Sequence, residues 1–83
     1  MSWIKTILAD RMNSITELAE EIEKETDQET KELWENCGGY TKKDTDEALY
    51  DICMDTEAFE LLMRVGTQLI RNYKTNRKNK NNI

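Results

Sequence analysis

Two stretches of this chain place apolar residues three and four positions apart, and a Cys-Gly-Gly sequence at 37–39 separates them. In the first, Ile4, Ile7, Leu8, Met12, Ile15, Leu18, Ala19 and Ile22 fall along one side of a helix turning about 100° per residue. In the second, Leu49, Ile52, Thr56, Phe59, Met63, Gly66, Ile70 and Tyr73 sustain the same alternation. No alternating pattern of strand type reaches four residues outside these stretches, so the expected fold class is all-α.

Ser2 stands where an N-cap belongs, which predicts a helix from Trp3. No apolar residue occurs between Glu23 and Glu32, yet Leu33 falls at the same helical angle as Ile15, so the phase survives and one helix over 3–36 is expected. Thr26-Asp27-Gln28-Glu29 has the form of a capping box and is an alternative start for a second helix. Gly38 and Gly39 suit a helix C-terminus, and 37–44 is read as the turn. Asp44 caps a helix over 45–74, with Asp55 available to cap a fresh start at Thr56. These two helices make one domain over 1–74, and 75–83, apolar only at Ile83, reads as a basic flexible tail.

Rods of such similar length suit a long antiparallel hairpin. Over 57–74, however, Ala58, Phe59, Leu61, Leu62, Met63, Val65, Gly66, Leu69, Ile70 and Tyr73 occupy an arc of about 200°, more than one neighbouring helix covers. Two arrangements answer this: a homodimer of hairpins forming a four-helix bundle through the stretch from Phe59 to Tyr73, or a compact monomer broken near Thr26 and Asp55 into three or four short helices. The dimer is the expectation. Gly66 within the seam reads equally as a close backbone approach or as a tolerated glycine, and Leu61, Val65 and Leu69, with Trp34 and Tyr40 near the turn, are the candidate protein-contact residues.

The residue inventory argues against catalysis. There is no histidine, which removes the usual neutral-pH base and the commonest metal ligand, and the acids lack the spacing of a calcium loop. No enzyme activity, cofactor or metal is expected. Two cysteines sixteen positions apart are too few for a disulfide scaffold, and no run approaches the roughly 20 apolar residues of a membrane span, so a soluble, reduced, cytoplasmic protein is expected.

Charge divides sharply along the chain. All 17 acids lie at or before Glu60, whereas 6 of the 12 lysines and arginines lie after it, namely Arg64, Arg71, Lys74, Arg77, Lys78 and Lys80. In size, acidity and asparagine-rich basic ending the chain resembles the general run of small phage or plasmid accessory proteins, including antitoxins, anti-defence inhibitors and lysis regulators. The resemblance is compositional and assigns no residue roles. It accords with a non-enzymatic regulator or inhibitor that binds another protein. The first alternative is a nucleic-acid-binding dimer using those six cations; the second is a helical oligomer binding a small ligand among Tyr40, Tyr50 and Arg64.

Overall fold

The polar interval after Ile22 is where the first rod breaks. A computed structural model of the chain describes residues 2–41 and 46–81, with side chains over 3–41 and 46–78. Its helices are α1 (Ser2–Glu25), α2 (Gln28–Asn36), α3 (Asp46–Met54) and α4 (Thr56–Asn81). At Thr26 the side-chain hydroxyl donates back to the Ile22 carbonyl and is buried, closing α1. Asp27 then takes an extended conformation, and its carboxylate accepts the Thr30 amide at 2.9 Å, which caps α2. The cap is thus Asp27 rather than Thr26.

The single helix expected over 3–36 is therefore corrected to two. Leu33, in phase with Ile15 on an unbroken wheel, is instead 47% exposed, and Trp34 carries the core position at 1%. The second rod breaks in the same way. Asp55 leaves the helix and its carboxylate accepts the Ala58 amide at 3.2 Å, so α3 ends and α4 begins afresh. Both breaks follow the short-helix alternative, giving four helices closed around one core. The expected cap at Asp44 and start at Thr45 lie outside the described residues. At its other end α4 runs on to Asn81, so backbone expected to fray after Lys74 is helical to that point.

The hairpin topology is corrected as well. Arg11 of α1 lies against Phe59 near the start of α4, while Lys74 near the other end of α4 meets Glu21 and Glu25 at the end of α1. These pairings make α1 and α4 parallel. Between them the chain descends in two pieces: Trp34 of α2 reaches the level of Leu18, and the end of α3 reaches Arg11, which donates to the Cys53 carbonyl at 3.1 Å. The result is a three-row bundle of 55 × 20 × 20 Å whose middle row is broken.

Ile15, Leu18, Ile22, Trp34, Leu49, Cys53, Leu62 and Ile70 form the buried core, with Leu8, Met12, Tyr40, Ile52, Phe59, Met63 and Leu69 packed against it. Much of the wide arc of α4 is therefore covered from within the chain, by α1 on one side and the α2–α3 row on the other. The close approach at Gly66 is real, and its partner is intramolecular. A Cβ there would lie 2.5 Å from Trp34 Cζ3 and 2.6 Å from Leu18 Cδ2. Over the Cδ2–Cε2 bond the indole likewise leaves no room for a Cβ at Gly39. Gly38, at φ +85°, turns the chain out of α2, with Gly39 N–H donating to the Trp34 carbonyl and Gly38 N–H to that of Glu35.

Candidate interaction surfaces

The sequence-derived contact residues separate into a core group and a surface group. Trp34 belongs to the core, its indole N–H donating to the Tyr40 carbonyl at 2.9 Å, so this ring is not a surface anchor. Tyr40 is half-buried against the same core. Leu69 also packs there, Val65 is half-buried, and Leu61 stands 57% exposed. Lys31 and Glu35 border a hollow with Ile22 and Glu23 of α1, and Leu33 lies about 100° round α2 from Trp34 on the opposite flank. On α4, Leu61 and Val65 lie on the flank opposite Lys74, which faces α1. Leu33, Leu61 and Val65 are thus apolar residues of two helices in contact, none of them part of the buried core.

The cations of α4 are arranged differently. Arg64, Arg71, Arg77 and Lys78 are exposed on a helix that carries no acid after Glu60. Lys74 is committed to α1: its ammonium lies 3.4 Å from Glu21 and 3.3 Å from Glu25, and these carboxylates, Glu25 foremost, hold its pKa above the ordinary lysine value. An antiparallel hairpin would have kept this lysine away from the acidic half of α1; the parallel packing brings them together. Lys24, Thr26, Tyr73 and Arg77 border an open hollow beside this ion pair. The side chain of Lys80 lies outside the described set.

Tyr40 borders a small hollow with Ile15, Thr16, Ala19, Thr41, Asp46 and Leu49, which neither Tyr50 nor Arg64 lines. The three polar groups considered for a small ligand are therefore not gathered around that hollow. Among the described residues no three His, Cys, Asp or Glu side chains are grouped to hold a metal, and no helix is long and apolar enough to cross a membrane. Cys37 is exposed. Cys53 is buried, and burial pushes its thiol pKa up against the opposing influence of Arg11.

Two features escaped the sequence reading. Arg11 sits in the middle of the apolar stripe of α1, and there it joins three elements, bonding to the Cys53 carbonyl and to the Thr56 hydroxyl at 3.4 Å while its guanidinium lies 5.0 Å from the Phe59 ring centre. A charge at a stripe position was the available signal. The second is an apolar end: Trp3 at 65% exposure and Met54 at 59%, together with Ile4 and Ile7, form a surface patch where the stripe pattern implied core. Family models, curated proteins and solved structures were all compared with this chain, and none matches it.

Proposed function

We propose that the chain is a non-enzymatic protein-binding module, a small cytoplasmic regulator or inhibitor that covers a surface of another protein with its α2–α4 edge. The observation that supports this reading is Leu61, largely exposed in the second turn of α4 and one turn from half-buried Val65, with exposed Leu33 on the adjoining helix. Apolar groups around a partly buried neighbour suit the centre of a contact surface, where desolvation contributes most. A homodimer belongs to the same proposal, each copy presenting its own edge. Within the stretch from Phe59 to Tyr73, Phe59, Leu62, Met63, Leu69 and Ile70 pack into the chain's own core, which leaves Leu61 and Val65 as its more accessible apolar residues.

The test is capture of partners by the full chain and by a Leu61→Glu, Val65→Glu variant. A protein held by the first and released by the second, with both melting alike, supports the edge; equal retention of every partner argues against it. A second reading, nucleic-acid binding, is favoured by the helical course of α4 to Asn81, which fixes Arg71, Arg77 and Lys78 along a rigid axis. With Lys74 tied to α1, about four phosphate contacts give a slope of log K against log salt of roughly −4 on duplex DNA. No shift of duplex DNA or RNA at low salt removes this reading.

A further inference from the structure

The parallel course of α1 and α4 leaves their starting ends out of step. Arg11 already faces Thr56, the first residue of α4, so the nine α1 residues before it have no α4 alongside them. That overhang is about 14 Å long. Among the described residues the end of α3 accompanies it, and the resulting open groove is lined by Trp3, Ile4, Ile7, Leu8, Arg11 and Met54, with the buried Cys53. Its open side is the direction in which earlier turns of α4 would continue.

We propose that this groove is a self-association face, filled by the overhanging turns of α1 from a second copy related by a two-fold axis near Ile7. The occupant matches in shape and chemistry: each copy contributes one helix with an apolar stripe and receives the same. Side chains of this size each carry on the order of 150–250 Å², so the exposed fractions of Trp3, Ile4, Ile7 and Met54 amount to roughly 400 Å² of apolar surface in one place. Two such patches with their polar rims approach the roughly 1,200 Å² at which specific interfaces begin.

Charge favours a second copy in this orientation. The nine acids between Glu17 and Glu35, relieved only by Lys24 and Lys31, begin ten residues beyond Ile7. That is about 15 Å along α1, more than the Debye length of about 8 Å in physiological salt. Joining the apolar ends points these acidic regions away from each other, whereas pairing the flanks of the bundles sets them side by side. The first turn of α1 carries no acid. With the axis at Ile7, the exposed Asp10 of one copy comes opposite Ile4 of the other and meets the positive end of that helix dipole. An anionic membrane is a poorer occupant, since the exposed acids Asp10, Asp51, Asp55 and Glu57 lie within three residues in sequence of Ile7 or Met54.

This inference deepens the dimer part of the proposed function and is independent of the partner edge, whose variants lie elsewhere on the molecule. Sedimentation equilibrium of the full chain is expected to give twice the chain mass at high micromolar concentration. Ile4→Glu with Ile7→Glu halves that mass and leaves the helical circular dichroism unchanged, whereas Leu61→Glu does not alter it. In a Cys37→Ser background, oxidation of Ile7→Cys is expected to yield a covalent dimer much faster than oxidation of Leu61→Cys. A monomeric full chain, a dimer that survives both Glu substitutions, or a monomer that floats with phosphatidylserine vesicles through Ile4 and Ile7 overturns the proposal.

Discussion

Trp34 occupies the space that a side chain at Gly66 would need, and the ring meets the α4 backbone through the missing Cβ. Two consequences compete at that position. Alanine is favoured over glycine by about 1 kcal/mol in a helix interior, but the added methyl forces the indole or Leu18 to move, an overpacking cost of about 1–3 kcal/mol. Gly66→Ala is therefore expected to destabilise the fold, measured by urea denaturation. Combined with Trp34→Leu, the same substitution should cost less than it does alone.

The helix breaks give a second prediction. Asp27→Ala and Asp55→Ala each remove a carboxylate that accepts a first-turn amide, and each is expected to cost about 1 kcal/mol. In an unbroken rod both changes would be neutral or stabilising, because alanine is the better helix former. Thermal unfolding of the two variants distinguishes these outcomes by sign.

Arg11→Met keeps the apolar stem but removes the hydrogen bond to the Cys53 carbonyl and the contact with the Phe59 ring. A loss of about 1.5–3 kcal/mol is expected by denaturation, the range for a hydrogen bond to a charged group. Arg11→Lys is expected to recover only part of it, since a compact ammonium lacks the planar guanidinium whose Nη1 serves both Cys53 and Thr56 while the group lies over the Phe59 ring.

The ion pair of Lys74 gives a pH dependence whose sign is fixed. Its folded pKa lies above the ordinary lysine value because Glu25 and Glu21 accept hydrogen bonds from the ammonium. The stabilisation is thus complete below the unfolded lysine pKa of about 10.4 and is lost as pH rises through the higher folded value. The melting temperature of the native chain should fall more steeply above about pH 10 than that of Lys74→Gln. Added salt should narrow the gap between them at neutral pH, since the pair is solvent-exposed.

Periodicity was sufficient for the helices and for several of their ends. The Gly38 cap, the possible start after Asp55 and the close approach at Gly66 were all legible because each rests on local chemistry. The break at Thr26 was legible only as an alternative. A wheel carried across a polar interval assumes an unbroken axis, and on that assumption Leu33 and Trp34 exchanged roles. Helix direction was not legible at all: the same stripes serve an antiparallel hairpin or a parallel pair, and the choice lies in where the middle row bends. For the same reason Ile4 and Ile7 read as core. Which helix covers them depends on where α4 begins, and Asp55 sets that point beyond their reach.

Because α1 and α4 lie side by side while separated in sequence by everything between, contacts such as Arg11 with Phe59 and Lys74 with Glu21 span most of the chain. A nascent polypeptide cannot complete them until Phe59 and Lys74 have emerged from the ribosome. During synthesis the greasy stripe of α1 waits uncovered, and a premature stop ahead of Phe59 strands it permanently, making such truncated products natural clients for chaperones and proteases.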